Sequence, residues 1–191
     1  MDTVRVVLAD KDAVMRKNLK ESLNRYGYLV VADAEDGITA LKLIRSLEPD
    51  LIIIDVTLPV MDGIAVARIV EESRLAPVIL LADYISLDYV NREKGEMAVP
   101  VLRKPVDDAA LQTTIDFAVS SFNRLVKLEK EVEKLKNDLE TRKAVEKAKG
   151  ILMRSQGIGE QEAFKRIQQQ SMKKRTSMKT IAEAIILAHE L

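Results

Sequence analysis

Three charged side chains stand where short apolar runs end. Asp10 follows Val4–Ala9, Asp55 closes Asp50–Asp55, and Lys104 follows Val99–Leu102. Two carboxylates and an ammonium at one edge of a sheet mark a candidate site. Taken singly, each is an ordinary strand-end acid or a solvated lysine; the spacing of all three gives them weight. No further nucleophile–base pair, metal cluster or phosphate-cradling loop stands out, so a catalytic enzyme is not expected. The chain has no cysteine, which removes disulfides and thiolate metal sites. Its one histidine, His189, is expected to be incidental.

The elements that must position these groups alternate. Strands are expected at Val4–Ala9, Tyr28–Ala32, Asp50–Asp55, Pro77–Leu81 and Val99–Leu102. Helices are expected from Asp12 to Arg25, over Asp36–Leu47 and Gly63–Glu72, and over Ser86–Lys94. Asp50–Asp55 (DLIIID) is apolar on both phases, as a central strand buried on two faces must be. Five strands alternating with helices predict an α/β fold with a doubly wound parallel sheet. In such sheets a site lies at the carboxyl ends of the strands, where these three residues fall.

A different pattern begins at Asp107. From there to Gln156 the chain has no proline and a single glycine, Gly150. If helical throughout, this stretch is roughly 75 Å long at about 1.5 Å per residue. Leu125, Leu128, Val132, Leu135 and Leu139 recur at steps of three and four, and charges flank them. That is a seam suited to a parallel homodimeric coiled coil, or to an amphipathic helix lying back on its own domain. Three short helices are expected beyond it: the end of the rod, about Glu160–Met172, and one from about Ser177. Ala163, Phe164 and Ile167 should face inward on the second.

The zero net charge hides an asymmetry, because residues 1–121 carry −6 and residues 141–191 carry +6. A basic end is a candidate for an anionic partner or simply a solvated helical face. No apolar run spans a bilayer and the first residues lack a signal-peptide layout, so a cytoplasmic protein with no membrane contact is expected.

The first half resembles a response-regulator receiver domain, a flavodoxin-like fold. Leu51–Gly63 (LIIIDVTLPVMDG), Lys104-Pro105 and Asp10 carry that resemblance over residues 4–121. It implies Asp55 as phosphoryl acceptor, Lys104 as the phosphoryl-pairing cation, and Asp10 with Asp55 and a second acid on Mg²⁺. The sequence departs from this pattern at three places. Lys11 stands where the second acid belongs, Ala82 where a hydroxyl belongs, and Val101 where a switch aromatic belongs. Either the receiver is degenerate, with the Lys11 ammonium near Asp55 in place of a metal, or it still phosphorylates with help from Asp12.

The last part resembles the ANTAR domain, an RNA-binding transcription antitermination module. Ala148-Lys149-Gly150-Ile151-Leu152-Met153, Glu162-Ala163-Phe164, Ser177 and Ile181-Ala182 carry it. Gly150 costs about 1 kcal/mol inside a helix, which a close helix approach or an RNA backbone would explain. The expected organisation is a receiver over 1–121, a coiled-coil linker over 122–141 and an ANTAR three-helix bundle over 142–191. RNA contacts are expected from Lys147, Lys149, Gly150, Arg154, Lys173, Lys174, Arg175 and Ser177, with Lys149 foremost. The resemblance implies a homodimer binding RNA hairpins in leader transcripts, with a sensor kinase or regulatory protein as input partner. A DNA-binding regulator, a phosphorylation-dependent antiterminator and an interaction scaffold are the alternatives.

Overall fold

The computed structural model describes residues 3–93, 95 and 97–190. In chain order the elements are β1 (Arg5–Ala9), α1 (Ala13–Arg25), β2 (Leu29–Ala34), α2 (Gly37–Leu47), β3 (Leu51–Asp55) and α3 (Gly63–Glu72). They continue with β4 (Val78–Ala82), α4 (Leu87–Glu93), β5 (Val101–Arg103), α5 (Asp108–Gln156), α6 (Glu160–Lys174) and α7 (Met178–Glu190). Lys94, the expected end of α4, lies outside the described residues, as do Met1 and Leu191 at the outer domain limits. The chain divides into two compact units, Met1–Val126 and Lys127–Leu191. Among the described residues no helix is long and apolar enough to cross a membrane.

In the first unit all five strands are parallel, in the order β2-β1-β3-β4-β5. Every residue of β3 and β4 is buried, because helices cover both faces. Val7, Ile52, Ile54 and Leu80 pack with Ala40 and Ile44 of α2 and Ile64 and Ala67 of α3. Val6, Leu8, Ile53 and Leu81 pack on the other face with Leu19 and Leu23 of α1 and Leu111 and Ile115 of α5. Each such side chain contributes about 1.5–3 kcal/mol on burial. All five strands shift by a residue or two at one end or both, and two of the shifts have a plain cause. The Tyr28 N–H closes the turn after α1 on the Leu23 carbonyl (3.0 Å), so β2 starts one residue later. Pro100 has no N–H to give a ladder, so β5 starts at Val101 and runs on to Arg103.

Helix α5 is a single element through Phe122 and Leu139. Asp107 caps it, its carboxylate accepting from the Ala110 N–H at 3.0 Å. In the second unit Val145, Ala148 and Leu152 of α5 pack with Ala163 and Ile167 of α6 and Ile181 and Ala182 of α7. Three alanines at the centre let the helices approach closely. Ala163 and Ile167 alone fill the buried stripe of α6, so Phe164, expected inside, is 41% exposed. Gly159 is the N-cap of α6 and gives it no side-chain cap bond. The bundle also reaches back beyond residue 142, since Lys179 of α7 donates to Glu140 of α5 at 2.5 Å.

Candidate functional site

The parallel sheet brings Asp10, Asp55 and Lys104 together at the carboxyl ends of β1, β3 and β5. Asp10 and Asp55 are buried. The Lys104 ammonium lies between them, donating to Asp10 Oδ2 at 2.5 Å and to Asp55 Oδ2. The other oxygens are also taken. Asp10 Oδ1 accepts from the Asp12 N–H at 2.9 Å. Asp55 Oδ1 accepts from the Thr57 N–H at 2.5 Å and its hydroxyl at 2.7 Å. Thr57 carries no expectation from sequence; its place two residues after Asp55 is the available signal.

Burial divides the two acids. It pushes the Asp10 carboxyl above its usual range, and the bonds from Lys104 and the Asp12 N–H do not cancel it. Burial opposes ionisation of Asp55 too, but bonds from Lys104 and Thr57 outweigh it and hold that carboxyl below the usual range. Burial likewise works against the Lys104 charge, yet its two carboxylate partners raise its pKa. Burial and hydrogen bonding thus push the two carboxyls in opposite directions.

Lys11 is exposed, and the cation that bridges the two acids is Lys104. The carboxylate of Asp12 caps α1, accepting from Val14 and Met15 N–H at 2.8 and 3.3 Å. Asp83 accepts from the Ser86 N–H (2.8 Å) in the turn before α4, and Ala82 before it is buried. A divalent ion of this kind takes about six oxygen ligands. Among the described residues no group of three or more acids or histidines is arranged to hold one. Asp10 and Asp55 would hold such an ion with water or ligand oxygens completing its shell, and the Lys104 ammonium lies between them.

The second unit presents a different surface. Leu128, Val132, Leu135 and Leu139 are 48–60% exposed, and Leu125 at the seam's start is half-buried. Lys147 and Arg154 are exposed along the end of α5, three and four residues either side of Gly150. A Cβ on Gly150 would meet only the Arg154 guanidinium, at 3.4 Å. Among the described residues no other helix comes as near to that glycine. Lys173 and Lys174 are exposed in the last turn of α6, not in the following turn as expected. Arg175 is the α6 C-cap, in the left-handed conformation at φ 51°. Two expected contacts are otherwise engaged. Lys149 is 7% exposed, and its ammonium donates to Glu146 at 2.8 Å and to Glu160 of α6 at 2.7 Å. Those two partners raise its pKa. Ser177 Oγ accepts from the Thr180 N–H at 3.0 Å and so caps α7.

A parallel five-stranded sheet with two buried acids and a lysine at its carboxyl edge, followed by a basic helical module, defines a signal-receiving regulator. The response regulator receiver domain model matches residues 6–116, and the ANTAR domain model matches residues 133–186. The chain belongs to the response regulators that join a receiver to an ANTAR domain, a regulatory rather than a catalytic family. It is 41% identical over 182 residues to the transcriptional regulatory protein PdtaR of Mycobacterium tuberculosis, covering 95% of this chain and 89% of that protein. Solved receiver domains resemble the first unit. That of AraT, a response regulator from Geobacillus stearothermophilus, is 26% identical with a TM-score of 0.55, over 68% of this chain and 99% of its own. That of an HD domain-containing protein from Pseudomonas fluorescens is 29% identical with a TM-score of 0.54, over 64% and 99%.

Proposed function

We propose that this chain binds RNA hairpins in leader transcripts as a homodimer and acts as a transcription antiterminator. Its receiver takes up phosphoryl weakly or not at all. The observation that carries this reading is α5 itself. One helix presents an open apolar seam and then, in its ANTAR part, exposed Lys147 and Arg154 on either side of Gly150. The flanking charges fit a parallel, in-register dimer. In that arrangement a g position faces the e position five residues on in the other chain. Arg124 then meets Glu129 of the partner subunit, Glu131 meets Lys136 of the partner subunit, and Asp138 meets Lys143 of the partner subunit. All three pairs have opposite signs. A dimer holding two hairpins of one transcript would keep a competing terminator from forming.

A weak receiver is supported by the pocket. Every carboxylate oxygen of Asp10 and Asp55 already accepts a hydrogen bond, and the sequence position of the second acid is held by the exposed Lys11. Incubation with a small phosphodonor and Mg²⁺, followed by mass spectrometry, should show no stoichiometric acyl phosphate on Asp55. Stoichiometric adduct there would overturn the weak-receiver reading. An input would then come from a kinase-independent protein partner.

Two substitutions separate structural from RNA-facing residues. Gly150→Ala removes a helix-interior glycine without a backbone clash, so the helical unit should be stabilised by about 1 kcal/mol. Hairpin affinity should nonetheless fall, because the added methyl occupies bare backbone beside Arg154. Unchanged affinity would remove Gly150 from the RNA surface. Lys149→Met should lower the melting temperature of the helical unit, since Glu146 and Glu160 lose their shared cation. The slope of log affinity against log salt should stay the same. A slope smaller by about one would make Lys149 a phosphate contact instead.

A further inference from the structure

A groove of about 450 Å³ opens between α6 and α7, closed at one end by Leu152 and Gln156 of α5. It exists because α7 places alanines at 184 and 188, on the same stripe as Ile181 and Ile185. Larger side chains at those two positions would fill it. The opposite wall is polar: Gln169, Gln170, Arg166 and Lys174 come from α6. The Arg166 guanidinium also reaches across to α5, donating to Gln156 Oε1.

The chemistry of this lining is selective. It has an apolar floor, three amide side chains, two cations and, among the described residues that line it, no carboxylate. Amides donate and accept together, so they read the edge of a base, which also donates and accepts. A planar guanidinium offers a stacking face, and the cations suit a phosphate that follows the base. A groove of this size lies in the range that holds a small planar ligand. An acidic or purely apolar peptide would leave the amides or the cations without complements.

From these features we infer that the α6–α7 groove is the seat of one unstacked, unpaired base of an RNA loop, with the attached phosphate on Lys174. The inference rests on the RNA-binding reading above and deepens it: it places sequence selection in the groove, while Lys147 and Arg154 of α5 and the end of α6 bind phosphates. Gln169 and Gln170 then set which base is accepted, and Ala184 and Ala188 keep its place open. No aromatic ring is needed, since the base lies on aliphatic side chains and the guanidinium.

The test uses the full chain and hairpins recovered from a pool with a fixed duplex stem and a randomised loop. Ala184 is exposed, so Ala184→Leu should plug the groove and leave the melting temperature and the dimer mass unchanged. Binding is measured for parent and variant, on the intact hairpin and on copies with one loop nucleotide made abasic. Ala184→Leu should weaken the intact hairpin by about tenfold or more, the scale of losing one stacked base. One abasic position should weaken the parent by a similar factor, and combining the two should give no further loss. The salt slope should fall by about one at most, because only the Lys174 phosphate contact depends on the seated base. A Gln169→Ala, Gln170→Ala variant, which leaves the floor intact, should flatten the base preference at that same position. If Ala184→Leu binds the intact hairpin as the parent does, or if the losses multiply, the groove is not the base seat, although hairpin binding itself stands. If the parent recovers no hairpin from the pool, the RNA reading falls and this inference falls with it.

Discussion

Leu135→Lys is expected to turn the dimer into monomers and to cost most of the hairpin affinity. In the single chain Leu135 is 60% exposed, so the substitution removes nothing that the folded monomer buries. In a dimer it sits in the middle of the seam, and both copies change at once. Losing two buried leucines costs about 1.5–3 kcal/mol each. At about 1.4 kcal/mol per factor of ten, the dimer dissociation constant rises by about a hundredfold to ten-thousandfold, before two apposed ammoniums are counted. Hairpin binding suffers next. With two modules joined, the second binding event is intramolecular, which raises avidity by about a hundredfold or more. Sedimentation equilibrium with an RNA titration checks both effects. Charge swaps check the register: Glu131→Lys should loosen the dimer by placing like charges opposite, and adding Lys136→Glu should restore it. A Leu135→Lys chain that stays dimeric would place the interface elsewhere.

Gly63→Ala is expected to destabilise the receiver strongly. A Cβ at Gly63 would stand 2.0 Å from the Asp55 carbonyl oxygen and 2.8 Å from its carbon. Both atoms belong to the backbone of the acceptor strand, so no flexible side chain can yield. The Gly63 N–H also bonds the Val56 carbonyl at 3.1 Å, which fixes the start of α3 against the end of β3. Overpacking of this kind costs about 1–3 kcal/mol, and more where only backbone can move. That is a large part of the roughly 5–15 kcal/mol that holds a domain folded. Urea unfolding of the full chain should show the receiver transition moved to lower denaturant, with the transition of Lys127–Leu191 in place. A parent-like receiver midpoint would mean that α3 does not approach Asp55 as closely as described.

The sequence spoke most clearly where burial is total. The runs now seen as β3 and β4 are apolar on both phases, and only a two-faced burial makes such runs worthwhile. With them came the strand ends, and so the meeting of Asp10, Asp55 and Lys104. What stayed hidden depends on contacts between distant residues. Lys149 beside Gly150 looks like a free cation until Glu160, on the next helix, is placed against it. Phe164 looks like core by its type, but a bundle centred on three alanines has no room for it, and the Ala163–Ile167 stripe suffices. Lys11 was expected near Asp55, whereas Lys104, from the far edge of the same sheet end, bridges both acids. The α6–α7 groove had no signature at all: it depends on alanines in one helix facing glutamines in another.

On the proposed reading, this chain is an RNA-hairpin-binding dimer that needs no phosphoryl group. The most direct measurement is competition binding at one fixed salt concentration, with protein never exposed to a phosphodonor. Recovered hairpin RNA and duplex DNA of matched length compete for it. The hairpin should displace the duplex, and excess duplex should leave the hairpin complex intact. Preference for the duplex, or no hairpin binding until Asp55 is phosphorylated, would contradict the account.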